Sequence, residues 1–424
     1  MNKLIISLIV ILQGTFCFSQ GEYPSSVDFD YNLFNRKGLP EVFDLRNFDR
    51  LSKMKVQPAG GCWASSAVAS VESFRKSAGI QDAIFSDIHL KLFHGFDSAR
   101  STSGNHYMAT AYFSRGNGPL IKNPETDSIY NPQPEIYSYI TDARYLPNNP
   151  SIVKQVIMDY GAVFSMMYFR RQYIDSTSFV FYTPYEKINH VVILIGWNDT
   201  LKTKNGEGVW IAQNSLGADF GDRGFFYIPY QDPNILNHNA VWPKWMDYNK
   251  DVKLYYYDTL GSYYSYGFRD TICYGLVKFE AEEDIQLSKI GTSVNFGFSK
   301  IYGEVFQKFD TASKELSGYL GNIDSIICRF PGYYTLDLNQ DINIRKGEDF
   351  YIMMRYVTPN DTLPLPIETF IENYSDPHII QGKCWINPNY EKWPATWYEC
   401  GPGSKYTTLN FDLCIKVYCL IKNQ

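Results

Sequence analysis

The stretch Gly60-Gly61-Cys62-Trp63-Ala64-Ser65-Ser66, continued by AVASVESF over 67–74, decides the fold. Trp63, Ala67, Val71 and Phe74 recur at spacings of four, four and three, which is one face of an α-helix packed on a core. Cys62 therefore stands at or near the start of that helix, where unpaired N–H groups and the helix dipole favour negative charge. A cysteine there is expected to ionise more readily than a free thiol. Taken alone, Cys62 also reads as a small buried residue capping a core helix, so the rest of the chain must decide between the two.

The cysteine distribution isolates it. The opening MNKLIISLIVILQGTFCFSQ has Lys3, an apolar run from Leu4 to Leu12 and the small residues Cys17 and Ser19 near its end, the pattern of a signal peptide over residues 1–20. That run is short for a membrane span, which needs roughly 20 residues, and bulky Phe16 before Cys17 disfavours a lipid anchor. A secreted or periplasmic location, with no transmembrane segment, is the expectation. Of the seven other cysteines, Cys273, Cys328, Cys384, Cys400, Cys414 and Cys419 lie in the C-terminal part. An exported chain can pair such cysteines, Cys384 with Cys400 being the favoured pair because they flank one loop; six cysteines allow about 15 connectivities in all. Cys62 is left over as the candidate reactive thiol.

At 424 residues the chain has room for two domains. Net charge is −6 with acids and bases scattered, which argues against a nucleic-acid partner. After a short irregular segment, 21–39, residues 40–247 read as α+β. Helical periodicity at 62–74 and in SIVKQVIMDYG (151–161) precedes strand-like HVVILIGW (190–197), GVWIAQNS (208–215) and GFFYIPY (224–230). From 252 to 424 short β-rich runs broken by Gly, Asn, Asp and Pro read as an all-β sandwich, with the boundary inside WPKWMDYNKDV (242–252). In TLNFDLCIKVYCLI, alternation places Cys419 inward and Cys414 outward.

A thiol nucleophile needs a base, a group to orient that base, and donors for an oxyanion. Of the six histidines, His190 begins a continuously apolar strand 128 residues after Cys62, whereas His89, His94 and His106 fall in a polar, turn-rich stretch. Asn214 ends the next strand run, and Gln57 precedes Cys62 by five residues.

Together Gln57, GGCWASSAVASVES, INHVVILIGW and VWIAQNSLGADFGDRGFFYI resemble, in chain order, the motifs of the papain family of cysteine peptidases, over about residues 40–232 from LPEVFDLR onward. The resemblance implies a papain-like domain with a helical and a β-rich lobe. It also implies roles: Cys62 as nucleophile, His190 as its base, Asn214 as orienter and Gln57 as oxyanion donor. Three departures stand out. The gap from glutamine to cysteine is five rather than six, and the intervening PAGG lacks the family's cysteine. Leu216 replaces a tryptophan that shields the asparagine–histidine bond. About 20 residues separate the leader from the domain, fewer than a helical inhibitory propeptide needs.

The C-terminal runs LYYYDTLG, GYYTLDLNQDINIRKGEDFYIMMRY, LPLPIE and FDLCIKVY resemble the lectin-like β-sandwich that follows some bacterial papain-like peptidases. The expectation is a secreted endopeptidase with protein or peptide substrates, no cofactor and no metal, whose second domain either binds glycan or cell-surface material or only stabilises. The alternative is a catalytically inactive papain-like protein that binds through the sandwich. A transglutaminase-type acyl transferase would place a carboxylate where Asn214 stands. No HExxH pair or phosphate-binding Gly-Lys-Ser/Thr loop occurs.

Overall fold

Cys62–Ser77 forms helix α1 of the computed structural model, which describes Phe29 and residues 38–80, 83–97, 103–129, 131, 135–388, 396–405 and 407–422. The leader expected over 1–20 lies outside the described residues, as does the 21–39 segment apart from Phe29, Gly38 and Leu39. Every residue of α1 from Cys62 to Arg75 is buried. Periodicity predicted one apolar face, but a helix covered all round is core. The small residues on its other faces make that possible, with Ser70 Oγ donating to the Ala162 carbonyl and Ser73 Oγ to that of Arg50.

Among the described residues of this half, helices α2 (Asp87–Phe93), α3 (His106–Ser114) and α4 (Pro150–Asp159) accompany seven strands. These are β1 (Val42–Asp44), β2 (Ser138–Leu146), β3 (Val163–Met167), β4 (His190–Thr203), β5 (Gly206–Gln213), β6 (Phe225–Pro229) and β7 (Asn239–Asp247). Helix α1 packs against α2, α3 and strands β3, β4 and β7. The expected helix at 151–161 and the three expected strands are present; β2, β3 and β7 carry no sequence pattern that singled them out. Strand β7 takes in the WPKWMD part of the expected boundary segment, burying Trp242 and Trp245 and pairing with β2, and ends at Asp247, with the next strand starting at Val252.

From Val252 onward the described residues hold strands and one short 3-10 turn. The strands are β8 (Val252–Tyr255), β9 (Tyr264–Tyr266), β10 (Ile272–Glu280), β11 (Ile285–Val294), β12 (Ser299–Asp310), β13 (Glu315–Cys328), β14 (Gly332–Ile344), β15 (Asp349–Val357), β16 (Leu365–Glu368), β17 (Cys384–Asn387), β18 (Tyr398–Glu399), β19 (Asp412–Leu413) and β20 (Ile415–Ile421). A six-stranded sheet, β13-β12-β15-β10-β17-β18, packs on β14-β11-β20-β8. Val277, Ile290, Ile323, Ile352 and Val417 contribute to the shared core.

The two halves are stitched. The sheet runs β6-β5-β4-β3-β7-β2-β14-β11-β20-β8, so β2 of the first half pairs with β14 of the second through Gly332↔Arg144 and Tyr333↔Ala143. Gly332 has φ +150°, and a Cβ there would lie 2.0 Å from the Ala143 carbonyl oxygen, so only glycine allows the approach. This seam explains why Cys414 is buried rather than outward. The face of β20 opposite the sandwich core is covered by the first half, where Tyr418 Oη reaches the Ser114 carbonyl. Cys419 faces the sandwich core as expected. Among the described residues all seven cysteines are buried and none is in a disulfide. Cys384 and Cys400 lie opposite each other, the Cys400 N–H donating to the Cys384 carbonyl at 2.9 Å, but as thiols rather than as the expected disulfide.

Candidate active site

The glycine pair shapes the start of α1. Gly61 N–H donates to the Pro58 carbonyl at 2.7 Å, closing a turn in which Gly60 is left-handed at φ +68°. A Cβ on Gly61 would meet Pro58 at 2.6 Å. Cys62 follows as the first helical residue, capped by no side chain, so its thiol sits among the free N–H groups of the first turn.

Strand β4 starts at His190 because Met167↔His190 and Val163↔Leu194 lock it against β3. Helix α1, which Cys62 opens, packs against β4, and the Val191 backbone is close enough to the thiol to favour its ionised form. Burial pushes the thiol up in pKa, against N–H groups from Val191, Trp63 and Cys62 itself that pull it down. The easier ionisation expected at a helix start is thus outweighed once β4 closes over it. Burial likewise holds the His190 imidazolium below the ordinary histidine value, and the Asn214 bond opposes it.

Asn214 follows β5 and is buried. Its Oδ1 lies 2.9 Å from His190 Nε2 and 2.8 Å from the Ser215 N–H. A backbone N–H can only donate, so oxygen faces that point and His190 Nε2 must carry a proton. Nδ1 is then the imidazole nitrogen left to exchange a proton with a thiol.

Gln57 is fixed by two elements far apart in sequence. Residues 55–57 run antiparallel to 215–217: Gln57 N–H donates to Ser215 O at 2.8 Å, Gly217 N–H to Lys55 O at 3.1 Å, and Val56 bridges Leu216. Ser215 Oγ donates to Gln57 Oε1 at 2.6 Å, so the amide NH2 is the end left free to donate elsewhere. Beneath this ladder a buried ion pair, Lys55 Nζ to Glu72 Oε1 at 2.7 Å, ties the segment to α1. The five-residue gap before Cys62 therefore still delivers the glutamine to the asparagine loop.

Two residues of the site were missed by sequence reasoning. Phe169 lies 5.1 Å from the His190 ring and packs on Phe181 and Phe220, whereas Leu216 is 40% exposed. Phe169, held by paired bonds to the Asn189 side chain, covers the imidazole; a lone aromatic in a loop carries no signal for that role. Ser215 stood inside the asparagine motif, and its hydroxyl bond became visible only across the ladder. His89, His94 and His106, expected in a turn-rich stretch, are buried on or beside α2 and α3.

The model of the papain family of cysteine proteases matches residues 39–241, and that of a lectin-like domain matches residues 254–419. The chain carries a papain-family domain followed by a lectin-like domain. Among curated relatives of the papain-family domain, a viral cathepsin of Cydia pomonella granulosis virus is 24% identical over 202 residues, 45% of this chain and 57% of the viral protein. Cathepsin Q of Rattus norvegicus is 23% identical over 230 residues, 49% of this chain and 62% of the rat protein. The chain thus spans less than two thirds of either relative. The two-domain arrangement has a counterpart in the clostridial cysteine protease Cwp84 after propeptide cleavage, with TM-score 0.76, 18% identity, and coverage of 90% of this chain and 99% of that one. A second structure, of the cysteine protease and lectin-like domains of Cwp84, described as a surface layer associated protein of Clostridium difficile, gives TM-score 0.74 at 17% identity over 91% of this chain and 90% of that one. These likenesses establish the fold. Among the described residues no helix is long and apolar enough to cross a membrane.

Proposed function

We propose that the chain hydrolyses peptide bonds as an exported cysteine endopeptidase, with residues 40–247 as catalytic domain and 252–424 as accessory sandwich. The observation that carries this reading is the His190 Nε2 to Asn214 Oδ1 contact at 2.9 Å, on a strand against which α1, headed by Cys62, packs. Burial disfavours each charge alone, but a thiolate and an imidazolium formed by one proton transfer attract each other in the same low-dielectric space. The pair therefore titrates as a unit.

Cys62 Sγ, its proton passed to His190 Nδ1, attacks the scissile carbonyl carbon. A C–S bond forms and the carbonyl electrons move onto oxygen, which the Gln57 amide and the Cys62 N–H receive. Collapse expels the amine, which takes the proton from His190. Neutral His190 then accepts a proton from water as it adds to the thioester, and the acid leaves with Cys62 restored. Asn214 keeps the ring turned with Nδ1 toward the thiol throughout.

For the sandwich we propose a glycan or cell-surface ligand, supported by the lectin-like family match; the leader supports export. The peptidase reading is tested by labelling with an epoxide-type thiol-peptidase inactivator and mapping the modified residue by mass, alongside peptide hydrolysis by Cys62→Ala and His190→Ala. The expected outcome is a label on Cys62 and loss of activity by at least about 10³-fold in each variant. Unchanged hydrolysis by purified Cys62→Ala protein refutes it.

A further inference from the structure

The wall beside Cys62 is braced from the other domain. Trp63, the residue after Cys62, is wholly buried; its indole lies against Gly104, where a Cβ would come within 2.3 Å of the ring, and edge-on to His94 at 5.7 Å. Two short segments, 94–97 and 103–106, thus enclose the side chain next to the candidate nucleophile. Tyr374, which sits in a turn of the lectin-like half closed by an Ile371↔Ser375 bridge, touches both. Its carbonyl accepts the Asp97 N–H at 3.1 Å, and its ring packs on Phe96 at 5.0 Å. Its hydroxyl exchanges hydrogen bonds with the Asn105 side chain, whose Nδ2 lies at 3.1 Å and Oδ1 at 3.4 Å. Asn105 in turn caps α3, its Oδ1 accepting the Met108 N–H at 3.0 Å. Tyr374 packs against the hydrophobic core of the peptidase half.

We propose that Tyr374 is a positioning residue of the peptidase, fixing the 94–97 and 103–106 wall so that a peptide lying along it meets Cys62 in register. This inference rests on the peptidase reading. It assigns the second domain a part in catalysis that is separate from any ligand of its own. A wall displaced by a fraction of an ångström weakens the hold on an extended substrate, while the thiol, held by α1 and β4, keeps its chemistry.

The test uses the full two-domain protein. Tyr374→Phe removes only the hydroxyl. Asn105→Ser keeps an N-cap oxygen for α3 but is too short to reach Tyr374. Each variant is expected to raise KM for an extended peptide substrate about fivefold or more with little change in kcat. Alkylation of Cys62 by iodoacetamide should stay at the wild-type rate in both, and hydrogen exchange at the Met108 amide should become faster in Tyr374→Phe, where the Asn105 cap loses its brace. Thr335→Val, which removes a seam bond to the Thr141 carbonyl away from the wall, should lower the melting temperature without changing KM. Unchanged KM in either folded variant overturns the proposal. So does a parallel fall in alkylation and kcat/KM, because that would place the damage at the thiol. If the wild-type protein hydrolyses no peptide, the peptidase reading fails by itself, and Met108 exchange then judges the brace: unchanged protection in Tyr374→Phe overturns it, and loss of protection sustains it.

Discussion

Ser215 Oγ donates to Gln57 Oε1 at 2.6 Å, across a ladder whose strands are more than 150 residues apart in the chain. The bond uses up the acceptor end of the amide and leaves its N–H groups free to meet an oxyanion. Ser215→Ala should leave the backbone bond from Gln57 N–H to Ser215 O in place while freeing the amide to rotate. We expect kcat/KM to fall about tenfold, mostly through kcat, against about 10²-fold for Gln57→Ala. The double variant should be no worse than Gln57→Ala alone, because both changes remove the same donor. Additive losses would show that Ser215 acts elsewhere.

The Asn214 amide raises the His190 imidazolium pKa against the burial that lowers it. Removing the amide in Asn214→Ala leaves burial unopposed, so the imidazolium loses its proton at lower pH. Activity that needs the imidazolium must then fail earlier as pH rises, and the alkaline limb of kcat/KM should move to lower pH. Phe169→Ala opens the ring to water and relieves burial, which should move that limb the other way. A limb that stays in place in both folded variants would mean that another group sets it.

Arg144 and Asp142, both fully buried at the seam, approach to 3.1 Å, and the guanidinium also lies 3.4 Å from the Tyr334 ring centre and donates to the Tyr333 carbonyl at 2.8 Å. Arg144→Met strands a buried carboxylate, at a cost of about 3–5 kcal/mol. Urea unfolding should shift accordingly and split into two transitions as the halves uncouple. Asp142→Asn combined with Arg144→Met should recover part of the loss, since no bare charge remains. A double variant no more stable than Arg144→Met would refute this account.

What the sequence made legible was local. The helix at Cys62 and the apolar strand opened by His190 follow from short-range periodicity, and Asn214 from its place at a strand end. Residues whose role depends on what folds back onto them carried no such mark. Phe169 matters because β4 passes beneath it, and Tyr374 because the second domain closes on the 94–97 and 103–106 segments. Lys416 sits on an alternating strand as an outward residue would, yet it is 1% exposed. A second buried face covers β20, and alternation cannot distinguish that face from water. The cysteines misled for a related reason: an exported chain permits disulfides, but Cys273, Cys328 and Cys419 are apolar filling of the sandwich core.

Lys416 belongs to a buried cluster that sets the last prediction. Its Nζ pairs with Asp258 at 2.5 Å, while Glu368 of β16 and Asp412 of β19 stand directly opposite each other in register. Glu368 accepts the Leu260 N–H and the Thr259 hydroxyl, and the Cys384 thiol reaches Asp412 at 3.8 Å. One lysine, paired with Asp258, thus shares this buried cluster with three carboxylates. Burial first, and then the Asp258 charge, pushes the Glu368 carboxyl up to about 8 and that of Asp412 up to about 7. In the unfolded chain both titrate near 4. Between about pH 4 and pH 8 the folded protein therefore binds more protons than the unfolded chain, and stability falls as pH rises through that window. The contribution is fully present below about pH 4 and is lost above about pH 8. Melting temperature should drop by on the order of 5 °C between about pH 5 and pH 8.5. Glu368→Gln, which keeps an acceptor for Leu260 without an ionisable proton, should flatten most of that slope. The measurement is calorimetry of both proteins across the range, at an ionic strength high enough to screen surface charge. A wild-type melting temperature that is flat or rises with pH, or a Glu368→Gln slope as steep as wild type, would show that these carboxylates do not hold the protons.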